Sequence, residues 1–258
     1  MSRGFLSLTI LRKVAHALVG WQNRLVISMT TIGKRKSIGS KALMRLGTSY
    51  GGWWVPSEIN ELPQPRVLVS AGLGFDTSFD EEMLKRKFFV VGLDPLLECC
   101  EHATNVLGTY AQLTIHNSGI STYSGQETFY QPKNPLHDSW STINAQEVVN
   151  PTTQDFEVIS LEKLWFTTPQ IQDAQFRYLK MDIEGAELSI LENCLPQVAR
   201  YDFVAIEMDF LSLIPFSELK KRIVRVARAR KFLEEFETLG FDLIQVENFN
   251  FFWSKKRK

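Results

Sequence analysis

The chain has 258 residues, 44% of them hydrophobic and 22% charged, which suits one sizeable α/β domain with its own core and excludes large-scale disorder. Its 29 basic and 29 acidic side chains cancel unevenly: nine basic residues and no acid precede Glu58, so residues 1–57 carry +9 and the rest −9. Cys99, Cys100 and Cys194 form no CxxC pair, which excludes a disulfide framework and points to a reducing, cytoplasmic setting.

The apolar run 5–11 is too short to span a bilayer, and Arg12 and Lys13 interrupt it where a signal peptide would continue. Leu11, Val14, Ala15, Leu18 and Val19 recur at helical spacing. They predict a basic amphipathic helix, either lying on an anionic membrane at its inner face or packing on the domain. Residues 32–41 read as a mobile connection. The chain thus divides into a basic helical extension, 1–49, and a main domain, 50–258.

Short apolar runs predict buried strands at 66–72, 87–94, 112–118, 178–183 and 201–209. Helices are predicted between them at 78–86, 95–107 and 185–194, with Pro95 in the first turn of the second. Residues 119–160 are looser, with strand-like QETFY and FEVIS around a loop rich in Pro, Asn and Ser. A long helix over 217–240 ends at Gly240, and two strands joined by a tight turn close the chain. This alternation implies an α/β fold with a doubly wound, mostly parallel sheet and one antiparallel strand from the final hairpin.

Open sheets of this kind bind ligands beyond the carboxyl ends of their strands. The first strand ends in Gly72 and Gly74, where a ligand can approach the backbone, with Asp76 and Asp80 beyond. The second ends in Asp94, twenty residues after Gly74, where a carboxylate can take both hydroxyls of a ribose. Thr77 stands where GxGxxG needs its last glycine, and Asp76, Asp80, Glu81 and Glu82 would repel a pyrophosphate. The same acids suit a cationic ligand without phosphate, so charge favours S-adenosylmethionine over NAD. In YLKMDIEGAELSILEN (178–193), Asp182, Glu184 and Glu187 surround Gly185 where a buried strand yields to a helix. Such acids either complement a helix dipole or line a ligand site.

The segments LKMDIEGAEL, VSAGLGFDTSFD, VVGLDP, HNSGIS and FYQPKNPLHDS resemble FkbM-type methyltransferases, a class I S-adenosylmethionine-dependent family, over about residues 50–254. The resemblance implies the seven-stranded, Rossmann-like class I methyltransferase fold and, usually, O-methylation of a sugar or natural-product hydroxyl. It implies that Gly72, Gly74 and Asp76 hold the amino-acid end of the donor, Asp94 its ribose, and that Asn117 and Ser118 lie near its adenine. Asp182 would line the methyl-transfer cleft, Glu184 would orient it or the substrate, Gly185 would let the next helix pack closely and Glu187 would start it.

A sugar hydroxyl gains from a base that takes its proton, and His137 and Asp182 are the two candidates. His102 and His116 read as structural, and His16 belongs to the leading helix. Asp182, Glu207 and Asp209 at neighbouring strand ends would accept a hard cation, but no fuller ligand set is legible and no metal is expected. Tyr50, Trp53 and Trp54 either roof the pocket or anchor the leading segment. The expected partners are a sugar or glycan acceptor and an anionic membrane. Nucleic acid is disfavoured, because the basic residues concentrate outside the catalytic body. A non-catalytic binding module of the same fold and an NAD-dependent oxidoreductase remain as alternatives.

Overall fold

A computed structural model describes residues 20–34, 43–134, 137–144, 148–211 and 219–256. The helix expected over 11–19, and most of the connection expected over 32–41, lie outside these residues. Residues 20–31 form helix α1, and Leu43–Leu46 (β1) pairs antiparallel with Trp53–Pro56 (β2). The division expected between residues 49 and 50 falls in the turn of that hairpin.

The body then alternates through β3 (Arg66–Ala71), α2 (Ser78–Lys85), β4 (Phe88–Asp94), α3 (Leu97–Leu107) and β5 (Leu113–Asn117). Strands β6 (Gly119–Ser121), β7 (Gly125–Tyr130) and β8 (Thr153–Ser160) leave the main sheet and form a small one of order β6-β8-β7. Helices α4 (Leu161–Thr167) and α5 (Pro169–Asp173) lead to β9 (Phe176–Met181). Helices α6 (Glu187–Asn193) and α7 (Leu195–Val198) lead to β10 (Phe203–Glu207). Helix α8 (Leu219–Thr238) precedes the hairpin β11 (Phe241–Glu247) and β12 (Asn250–Lys255).

The main sheet has seven strands in the order β11-β12-β10-β9-β3-β4-β5. All neighbours pair in parallel except β12, which runs antiparallel to both β10 and β11. Val67, Leu68 and Val69 of β3 are fully buried because helices cover both faces of a parallel sheet. One face packs Val69, Leu179, Val204 and Trp253 against Phe232 and Phe236 of α8. The other packs Leu68, Tyr178, Phe203 and Phe252 against Phe79 and Met83 of α2 and against the β1–β2 hairpin. Each fully buried side chain of this size contributes about 1.5–3 kcal/mol of transfer free energy.

Two helices begin later than the sequence suggests, for local reasons. Pro95 precedes α3 because an Asp94 carboxylate oxygen accepts the Leu96 N–H (2.9 Å) and holds the chain out of the helix. Helix α6 starts at Glu187 because Glu184 and Gly185 have φ of +58° and +99°, left-handed values that no helix continues. The chain winds outward from β3 through β4 to β5, then returns to β9 and β10 on the other side. That reversal opens a crevice at the carboxyl ends of β3 and β9.

Candidate active site

A cavity of about 410 Å³ fills this crevice, within the usual size range of small-molecule sites. Its floor is the turn after β3. Gly72 has φ +80° and Gly74 has φ +56°, which glycine adopts without a Cβ penalty. Gly72 is required by packing as well as by φ. A Cβ there would stand 1.8 Å from the Asp182 carbonyl oxygen, because the turns after β3 and β9 nearly touch.

Asp94 and Asp76 both line the cavity, yet most of their oxygens are taken. Asp94 Oδ2 accepts the Leu73 and Gly74 N–H groups (3.0 and 3.1 Å), and Oδ1 accepts that of Leu96. A carboxylate offers about four lone-pair sites, so one remains for a ribose hydroxyl rather than the two that a diol would use. Burial raises the Asp94 pKa, and these N–H groups and Lys180 oppose the rise. Asp76 Oδ2 accepts from Thr48 Oγ1 and from the Gly51 N–H (3.1 Å), while Oδ1 accepts from the Ser78 N–H that opens α2. Burial acts to raise its pKa, but the bonds from Ser78, Thr48 and Gly51 outweigh it and leave the carboxyl below its ordinary value. Asp76 thereby ties the β1–β2 turn, with Tyr50, across the mouth of the cavity.

The opposite wall is built from the ends of β9 and β10. Parallel register sets Ile206 against Met181, so the residues just beyond, Glu207 and Asp182, meet side by side. Their carboxyl groups hydrogen-bond to each other, which requires a shared proton. Burial, then repulsion from Asp182, Asp209 and Glu184, pushes Glu207 up to about 9. Burial also raises Asp182, against Lys180 and the Glu207 hydrogen bond, which lower it. Glu184 is pushed up to about 7 by burial and then by Asp182. Its left-handed backbone is strained, and Ser141 Oγ holds its carbonyl (2.6 Å). Behind the wall, Glu187 is fully buried and its Oε1 accepts the Ile183 and Gly185 N–H groups (3.1 and 3.0 Å). It starts the helix as expected, and it also fixes the loop that carries Glu184.

Two expectations need correction. His137 is exposed and does not line the cavity; its neighbour Asp138 does, because the loop turns the histidine outward. Asn117 and Ser118 do not line it either. The Asn117 amide turns back to the Pro95 and Asp94 carbonyls (2.9 and 3.2 Å), and the next two residues, Gly119 and Ile120, form the wall there. Of the two readings left open for the tryptophans, both rings anchor: Trp53 is buried in the core while its edge also lines the cavity, and Trp54 Nε1 donates to Glu247 Oε2 (3.0 Å).

Lys180 was missed as a site residue. It is 4% exposed, its Nζ donates to the Gly72 carbonyl, and the same ammonium lies 5.6 Å from the Trp53 ring centroid. The signal was present, since a lysine inside a buried strand demands a partner. Asp182, Glu207 and Asp209 offer one oxygen each within 4.8 Å of one another, a spacing a hard cation accepts.

The description "Methyltransferase FkbM domain" matches residues 69–245, more than half of the sequence. The chain belongs to the FkbM methyltransferase family, and its cofactor is S-adenosylmethionine. A search of curated proteins returns no significant match. Among solved structures, a TehB-like SAM-dependent methyltransferase from Corynebacterium glutamicum is similar at 13% identity, covering 76% of this chain and 83% of its own, with a TM-score of 0.36. The Methanococcus jannaschii fibrillarin pre-rRNA processing protein is similar at 8% identity, covering 86% of both chains, with a TM-score of 0.38. A chain of a fibrillarin/Nop5p complex is similar at 8% identity, covering 76% of this chain and 75% of its own, with a TM-score of 0.41. These likenesses are distant, and the family match stands apart from them.

The cavity suits that donor. Gly72 and Gly74 keep side chains off its floor, and Asp94 and Asp138 offer carboxyl groups to a sulfonium and an ammonium. Pro95, Gly119 and Ile120 supply an apolar wall for a flat base.

Proposed function

We propose that the protein is an O-methyltransferase acting on a sugar hydroxyl of a glycan, glycolipid or natural product. The carrying observation is the pair of hydrogen-bonded carboxyls, Asp182 and Glu207, on the cavity wall. When bound, S-adenosylmethionine supplies a methyl group already activated on a sulfonium. The residues therefore need only bring an alcohol oxygen into line and take its proton. Asp182 accepts that proton at a carboxylate oxygen, while Glu207 holds its own and keeps Asp182 turned toward the cavity. Glu184, titrating near neutrality, relays the proton outward. Tyr50, Trp140, Asn248 and Asn250 around the same cavity offer the mixture of ring faces and hydrogen-bonding groups that a polyhydroxylated ring needs. The buried free thiols Cys99, Cys100 and Cys194 support a cytoplasmic site of action.

The test is transfer of a radiolabelled methyl group to a panel of free sugars, glycosides and lipid-linked sugars, with RNA as a comparison. The reading expects a labelled, base-stable ether on at least one sugar. Label on RNA alone, or on nothing despite donor binding, would overturn it in favour of a nucleic-acid enzyme or a non-catalytic module respectively.

A further inference from the structure

Helix α1 is apolar on two sides. Val26 packs into the main core, and Thr30 Oγ1 donates to its carbonyl (2.8 Å), so this side rests on the body. The other side shows Trp21, Leu25 and Met29, continued by Ile32 in the turn just after the helix; they are 59%, 43%, 46% and 67% exposed. Their spacing of four, four and three residues places them on one stripe. Helix α8 runs alongside in the same direction. Arg222 Nη2 donates to Gln22 Oε1 (3.5 Å), Arg230 Nη1 to the Met29 carbonyl (2.9 Å), and Lys34 pairs with Glu237 (3.3 Å). Next to Arg222, α8 adds exposed Ile223 and Val224. An apolar stripe of this kind marks an interaction surface.

Charge indicates what covers it. Residues 219–233 contain seven basic side chains and no acid, of which Arg228 pairs with Glu192 and Lys231 with Glu235 in the acidic last turn of α8; Arg24 stands on α1, and residues 1–19 add Arg3, Arg12 and Lys13, again without an acid. Nucleic acid would answer the charge but not the stripe, and a purely apolar partner would answer the stripe but not the charge. An anionic lipid surface answers both, with acyl chains for Trp21, Leu25, Met29 and Ile32 and headgroups for the arginines and lysines. Among the described residues no helix is long and apolar enough to cross a membrane, so a helix lying in the interface plane is the form of contact this stripe can make. We propose that the α1–α8 face docks the protein on anionic lipid, independently of which acceptor the cavity takes.

Flotation of the full chain with phosphatidylglycerol vesicles, and with phosphatidylcholine vesicles as the neutral control, tests this. The expected result is flotation with the anionic vesicles only, weakened by salt as the charges are screened. Leu25→Ser/Met29→Ser should lower the partition at least about tenfold while keeping the wild-type thermal melt, since each change removes an exposed apolar side chain that only the lipid would bury. Four results would overturn the proposal. They are absence of flotation at low salt, equal flotation of the double variant, a dimer in light scattering that the double variant dissolves, and RNA binding that the double variant abolishes. A failed donor titration would leave this test untouched.

Discussion

At the carboxyl ends of β3 and β4, Asp76 and Asp94 give most of their oxygens to N–H groups of the turns beside them. At the ends of β9 and β10, Asp182, Glu184 and Glu207 face one another, and burial raises all three pKa values. Both groups line one cavity, and their chemistry diverges because their partners differ. Carboxylates held by backbone donors fix shape, and those donors outweigh burial at Asp76 and oppose it at Asp94. Carboxyls crowded together hold protons near neutral pH and can exchange them. On the proposed function, the first half of the cavity holds the donor and the second half handles the proton.

The sharpest way to break that division is Asp182→Asn. Loss of the base should lower methyl transfer about 10²–10⁴-fold. Donor affinity, measured by calorimetry with S-adenosylhomocysteine, should stay within about threefold of wild type. An equal loss of both would merge the two halves into one. Asp94→Asn should do the reverse, weakening S-adenosylhomocysteine about tenfold or more. An amide keeps one oxygen for the Leu73 and Gly74 N–H groups but sets its own NH₂ against the Leu96 N–H, donor against donor.

A smaller effect concerns stability. The folded chain holds a proton on Glu207 up to about pH 9, whereas an unfolded glutamate releases it near 4.5. Between those values the native state binds more protons than the unfolded one, so stability falls as pH rises. Glu184, raised to about 7, adds to the slope over the lower part of that window. Glu207→Gln cannot ionise and still donates to Asp182. Its melting temperature should fall by several degrees less than that of wild type between pH 5 and 9. Identical slopes would show that Glu207 ionises normally. Smallest of all, His137→Ala should change transfer less than about twofold, because an exposed side chain outside the cavity takes no proton from the acceptor.

Strands β3, β4, β9 and β10 were legible because a doubly covered parallel strand is written as a continuous apolar run. That Gly72, Asp94 and Asp182 would share one crevice was legible because all three stand at the carboxyl ends of neighbouring strands. The insertion of β12 between β10 and β11 was not, since pairing partners far apart in sequence leave no local trace. Nor were the roles of His137, Asn117 and Ser118. Each sits at a strand end or in a loop, and the direction of its side chain depends on contacts such as that of the Asn117 amide with Pro95. Lys180 hid between Leu179 and Met181 inside a buried strand, and its task depends on Gly72 more than a hundred positions away.

The most direct test is a calorimetric titration of the full chain with S-adenosylhomocysteine, run on wild type and on Asp182→Asn. The account predicts one site per chain, with micromolar affinity in both proteins. A wild-type protein that melts cooperatively yet gives no binding heat at several temperatures would contradict the donor cavity itself.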